Sequence, residues 1–249
     1  MNYNANECFL QTGEYKNKSI LFFGPGEKSA YKNNKKKLGT DWYYSDNKHN
    51  PLTYNFNSNG YRCSHSHPAD YDEYFIAIGC SNTLGAGVHE ENRYSNIIES
   101  NTKIPTFNLG YSGGSALYVF YNISYFLSCN IKPPKCVFIQ WPQAMRYTVF
   151  TDRGIDRIGI HNSNRKEKER LARYWHEVHP AAMHESSKFS YYTTRSLLEA
   201  ANIPSVHIAD NANFYKGVHS WNGIDMARDL QHPGIATHQR IADMMLDQL

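Results

Sequence analysis

Apolar residues fall into short runs separated by polar, glycine-marked turns, and the pattern changes near residue 70. Beyond that point, runs such as Phe75-Ile-Ala-Ile and Val137-Phe-Ile are continuous rather than alternating. Such short aromatic and β-branched runs suit strands covered on both faces. They predict strands near 74 to 78, 105 to 109, 136 to 141 and 204 to 209. Between and after them, helices are predicted near 92 to 100, 114 to 128, 166 to 201 with a break at His179-Pro180, and 234 to 248. Strand and helix in alternation argue for an α/β three-layer sandwich with a central, mostly parallel sheet.

Residues 1 to 70 differ in composition, being rich in Asn, Lys, Tyr and Gly, with turn signals at Gly24-Pro-Gly26, Asn33-Asn34 and Asn57-Ser-Asn-Gly60. They predict short strands or loops rather than helices, with a hairpin around 41 to 54. The expected organisation is an N-terminal strand and loop extension, 1–70, packed on a main domain, 71–249. At 249 residues the chain is long enough for one sizeable core.

Charge and cysteines narrow the function classes. The 26 basic and 23 acidic residues balance to +3, which argues against a nucleic-acid partner. Five cysteines, an odd number without close paired spacing, argue against a disulfide framework and for a reducing compartment. The start of the chain lacks a basic, apolar leader, and the apolar stretch 116 to 127 is too short to span a bilayer, so no membrane association is expected. Histidine clusters give no clear metal site. Ser64-His-Ser-His67 would set two imidazoles on one face of a polar strand, but no carboxylate or thiolate stands at ligand spacing. His176 and His179 share a helical face, and Pro180 breaks the helix before His184. No metal or cofactor is expected.

The stretch that can carry chemistry is Tyr74-Phe-Ile-Ala-Ile-Gly-Cys-Ser-Asn-Thr-Leu-Gly-Ala-Gly87. It reads as a buried strand entering a turn that presents Ser81 where parallel sheets place their ligands. Ser81 is either a nucleophile or simply a helix cap. The Gly-x-Ser-x-Gly elbow is not matched, since Thr83 holds the second glycine's place, and no Gly-Lys-Ser/Thr phosphate loop follows. Far downstream, Asp229-Leu-Gln-His232-Pro-Gly precedes the last helix. An aspartate three residues before a histidine can receive the Nδ1 proton and leave Nε2 for a nucleophile. Ser81, Asp229 and His232 are thus the candidate catalytic set.

At these residues the sequence resembles the SGNH or GDSL-type hydrolases, over roughly 75 to 249. Gly79-Cys-Ser81 stands where that family has Gly-Asp-Ser, Asn108-Leu-Gly-Tyr-Ser-Gly113 where it has its second block, and Asp229-Leu-Gln-His232-Pro where it has its last. Tyr54-Asn-Phe-Asn-Ser-Asn-Gly-Tyr-Arg62 is similar to a lead-in of bacterial and phage members. The resemblance implies a flavodoxin-like sandwich and a serine esterase with an acyl-enzyme intermediate. It also implies an oxyanion hole of the Ser81 and Gly113 N–H groups plus a third-block asparagine. That asparagine is absent, because the block reads Ile139-Gln-Trp-Pro-Gln-Ala144. Gln143 is assigned its place, with Gln140 and Trp141 as alternatives. His219 is the candidate substrate contact. The expected partner is a small-molecule or glycan ester, such as an O-acetyl carbohydrate, and the expected location is cytoplasmic or phage-associated. A second expectation follows from Cys80 and the missing asparagine: a catalytically weak glycan-binding or structural module, for instance of a phage particle.

Overall fold

The computed structural model describes residues 8–10, 15–23, 25–144, 146–151, 154–158, 180–210 and 214–249. Its centre is a five-stranded, wholly parallel sheet. In chain order the strands are β3 (Phe75–Gly79), β4 (Thr106–Gly110), β5 (Cys136–Trp141), β8 (Ser205–Ala209) and the short β9 (His219–Ser220). Their spatial order is β4-β3-β5-β8-β9. Register places Gly79 beside both Gly110 and Gln140, so the carboxyl ends of the three inner strands are level.

Alternate side chains of these strands feed two cores. One side takes Ile76, Ile78, Val137 and Ile139 and is closed by α4 (Ala116–Ser128) and α5 (Pro180–Ala200), which contribute Tyr118, Val119, Ile123, Tyr191 and Leu198. The other takes Phe75, Ala77, Phe138 and Ile208 under α3 (Tyr94–Thr102) and α6 (Ile235–Leu246), which contribute Tyr94, Ile98, Ile241 and Met245. The architecture is therefore the expected three-layer sandwich. Strands and helices lie within about two residues of their sequence positions, apart from the portion of the 166 to 201 helix before Pro180, which falls outside the described residues. The β9 edge strand and the antiparallel hairpin of β6 (Tyr147–Thr151) and β7 (Gly154–Ile158) were not expected. No helix among the described residues is long and apolar enough to cross a membrane.

The N-terminal region corrects its sequence reading. Instead of strands and loops only, it forms the 14-residue helix α1 (Pro25–Leu38), with Glu27 in its first turn and Lys35, Lys36 and Lys37 in its last. Those charges complement the helix dipole. The expected hairpin is replaced by a pairing of β1 (Ser19–Ile20) with β2 (Tyr54–Asn55), which encloses the helix between its strands. The segment around His65 is no strand either. His65 Nε2 meets Glu99 Oε2 at 2.9 Å and its Nδ1 meets the Tyr71 hydroxyl at 3.0 Å.

Candidate active site

β3 delivers the chain to α2 (Ser81–Leu84), a single helical turn with Ser81 at its first position. That turn lies directly on the strand ends. A Cβ on Gly79 would stand 2.3 Å from Thr83 Oγ1 and 2.5 Å from the Gln140 carbonyl, and one on Gly110 would stand 2.1 Å from Leu84 N. Only glycine admits such an approach. Beneath the turn, Thr83 donates to Gln140 Oε1 at 2.9 Å, and Asn108 Nδ2 donates to the Thr83 carbonyl at 2.7 Å. The candidate nucleophile is thus seated on a buried polar network supplied by two strands.

The candidate acid and base come from the loop before α6. His232 Nδ1 meets Asp229 Oδ2 at 2.5 Å, while Asp229 Oδ1 accepts from the backbone N–H groups of Gln231 and His232 at 3.0 and 3.1 Å. The turn carries Leu230 at φ +55°, a left-handed conformation that a leucine adopts only when its surroundings hold it. Burial disfavours the Asp229 charge, but the His232 hydrogen bond and the two N–H donors outweigh it and hold the carboxyl below its usual range. An anionic Asp229 keeps the proton on His232 Nδ1, which leaves Nε2 as the basic nitrogen.

A third partnership fixes this loop. Arg228, fully buried, donates from Nε and Nη2 to Glu27 Oε1 at 3.1 and 2.6 Å, and from Nη2 to the Leu21 carbonyl at 2.7 Å. The Tyr54 hydroxyl donates to the same Glu27 oxygen at 2.7 Å and accepts from Gly87 N–H at 2.9 Å. Arg228 N–H then donates to the Gly87 carbonyl at 2.9 Å, closing a ring. The ring joins the loop after the nucleophile turn, through two N-terminal residues, to the residue preceding Asp229. Arg62, also fully buried, adds bonds to the Gly85 and Val88 carbonyls at 2.6 and 3.0 Å. Neither Arg228 nor Glu27 stood out in the sequence, and Tyr54 did so only within the lead-in to Arg62. An arginine next to an aspartate reads as a surface pair.

Ser81 and His232 line one cavity of about 430 Å³, with Cys80, Gln143, Arg146, Asp210 and Trp221 among its walls. Trp141, another wall, is held by its indole N–H, which donates to His207 Nδ1 at 3.0 Å. His207 therefore carries its proton on Nε2, against Ser205 Oγ at 2.9 Å. Burial, aided by the Arg195 charge, pushes His207 down to about 4, so it is a neutral support. Asp225 also borders the cavity, but its carboxylate is occupied by Ala236 N–H, Thr237 N–H and the Thr237 hydroxyl at the start of α6.

Of the sequence-predicted residues, Ser81, His232 and Gln143 share the cavity, and Asp229 stands behind His232. Gln140 is buried against Thr83. Gly113 is not among the lining residues. It occupies the turn after β4 at φ +72°, half-buried, and its N–H makes no backbone hydrogen bond among the described residues. His219 lies exposed on β9, likewise outside the lining.

Fold and site together define a class: a parallel three-layer α/β protein with serine, histidine and aspartate gathered at the carboxyl edge of its sheet. No family model matches the chain, and no curated protein matches it. Among solved structures, the chain is similar to a member of the lipolytic G-D-S-L family from Veillonella parvula, at 13% identity over 70% of this chain and 97% of that one, TM-score 0.36. It is also similar to the psychrotrophic esterase EstA from Pseudoalteromonas, at 13% over 71% and 96%, TM-score 0.41. A third is an acetyl xylan esterase from the rumen bacterium Butyrivibrio proteoclasticus, at 10% over 71% and 63%, TM-score 0.41. At such distances the likeness assigns no residue a role.

Proposed function

We propose that the protein is a serine esterase acting on an O-acyl ester, with an acylated carbohydrate as its substrate class. The observation that carries this reading is the 2.5 Å bond between Asp229 and His232 beside a cavity that His232 and Ser81 both line. His232 Nε2 takes the Ser81 proton as Oγ bonds to the ester carbonyl carbon. The ester C–O bond breaks, the alcohol leaves with that proton, and a water activated by His232 cleaves the acyl-enzyme. Asp229 stabilises the imidazolium without accepting the proton itself.

The oxyanion is assigned to the Ser81 N–H, at the first position of α2 and with no backbone partner among the described residues, with Gly113 N–H and the Gln143 amide as further donors. Gln143 is exposed and lines the cavity, which supports its part. The saccharide assignment rests on the polar side chains of Asn82, Gln143 and Gln231 that line the same cavity.

An organophosphonate probe and p-nitrophenyl acetate test the reading together. Mass spectrometry should place the label on Ser81, and both labelling and hydrolysis should vanish in Ser81→Ala and in His232→Ala. A label on Cys80 alone, or hydrolysis that survives Ser81→Ala, overturns the assignment.

A further inference from the structure

We infer that Arg146 is an anion-recognition residue of this cavity and that the ester substrate carries a carboxylate. The inference deepens the esterase reading and rests on it for the word substrate. Its basis is an asymmetry among the arginines. Arg62, Arg93 and Arg228 are buried, and every terminal guanidinium nitrogen of the three donates to a carbonyl or carboxylate. Arg195 has the Tyr191 hydroxyl, and Arg240 is exposed. Among the described residues Arg146 is the one arginine that lines the cavity, and its Nη1 is buried with no hydrogen-bond partner.

A buried N–H left unpaired costs about 1–3 kcal/mol, and more on a charged group. Such a donor on the wall of a reaction cavity is therefore best explained by an acceptor that arrives with the ligand. The neighbouring acids do not supply it. The Asp225 carboxylate is already occupied at the start of α6, and Arg146 Nη1 bonds neither it nor Asp210.

The lining also selects the anion. Arg146 is the only arginine or lysine among the described lining residues, and the two aspartates there disfavour a doubly charged phosphate. A planar, singly charged carboxylate matches one guanidinium through two parallel bonds. Joined to the saccharide reading above, this describes an O-acylated acidic sugar better than a neutral one.

Calorimetry in the Ser81→Ala protein, where turnover cannot intervene, tests the inference with glucuronate and galacturonate against their neutral amides. Each acid should bind about 10- to 100-fold more tightly than its amide, the range expected of a charge-assisted pair. That ratio should fall to about one in Arg146→Met, and Arg146→Lys should retain part of it, since the charge stays while the fork is lost. Equal binding of acid and amide, no binding of either acid, or a preference that survives Arg146→Met overturns the inference. Failure of the esterase reading is seen separately, as absent Ser81 labelling, whatever the calorimetry returns.

Discussion

Two walls of the candidate site are built on opposite principles. On one, Arg228 is saturated by Glu27, Leu21 and Asn47, and the Asp229–His232 loop it anchors is held by bonds on both sides. On the other, Arg146, Gln143 and Met226 face the cavity with Arg146 Nη1 unpaired and Met226 and Gln143 exposed. The first wall resembles a protein interior and the second resembles half of an interface. A site that moves protons needs its acid and base held to fractions of an ångström, whereas a site that admits varied alcohols must leave donors unspent. The same residue type serves both ends, and what distinguishes them is whether the protein itself has already supplied the acceptor.

The strongest way to break this contrast is to delete each arginine in turn. Arg228→Met strands the buried Glu27 carboxylate and should cost about 3–5 kcal/mol in denaturant unfolding. Arg146→Met removes a side chain whose Nη1 has no hydrogen-bond partner among the described residues and should shift stability by no more than about 0.5 kcal/mol. Comparable losses from the two would show that the walls do not differ.

A second measurement asks how rigidly the interior excludes charge. Burial, reinforced by the charges of Arg93 and Arg62, pushes His238 down to about 3, and His207 stands at about 4 against the ordinary 6.5. Below pH 6.5 the unfolded chain gains protons that the folded rings refuse, so stability is complete above that value and falls as pH drops toward 4. Each ring contributes a slope of about 1.4 kcal/mol per pH unit in that window. Chemical denaturation from pH 7.5 to 4.5 should show the decline, and replacing His207 by Gln should remove about half of the slope. A flat profile would mean that both rings reach water.

The smallest effect probes the ring itself. Tyr54→Phe removes one hydroxyl from between Gly87 and Glu27 and should cost about 0.5–1.5 kcal/mol. The Gly87 amide should exchange with solvent faster in that variant. Gln231 and His232, whose amides bond to Asp229, should follow it if the ring transmits to the base, and unchanged exchange at these two would confine its role to the N-terminal side.

The middle of the sheet was legible because β3 and β5 are largely apolar runs ended by glycine or proline, and that signal is local. Thus β3 and β4 fall one residue from their expected places and β5 coincides. Ser81 and the Asp229–His232 pair were legible for the same reason, each being a short pattern beside a recognisable element. Helix α1 was not. Its stretch buries Tyr31 but otherwise alternates Lys, Asn and Glu, so it has no apolar stripe, and Asn33-Asn34 imitates a turn. The N-terminal grip was illegible on stronger grounds: a bond between residues 27 and 228 leaves no periodicity in either neighbourhood. Tyr54 and Arg62 show the intermediate case. They stood out in a lead-in of familiar form, but only the folded chain reveals that they hold the loop behind the nucleophile.

Because Glu27 and Arg228 lie 201 positions apart, the ring also sets an order of events during synthesis. The strands that present Ser81 are complete once Trp141 has been added, and Arg228 follows 87 residues later. At roughly 5–20 residues per second, ribosomes leave an interval of about 4–17 s. Throughout it the nascent chain has Ser81 but neither His232 nor the arginine that pairs with Glu27. Glu27 therefore stays without its ion-pair partner for that whole interval, and the N-terminal region closes on the loop of Asp229 only after the strands around Ser81 have been made.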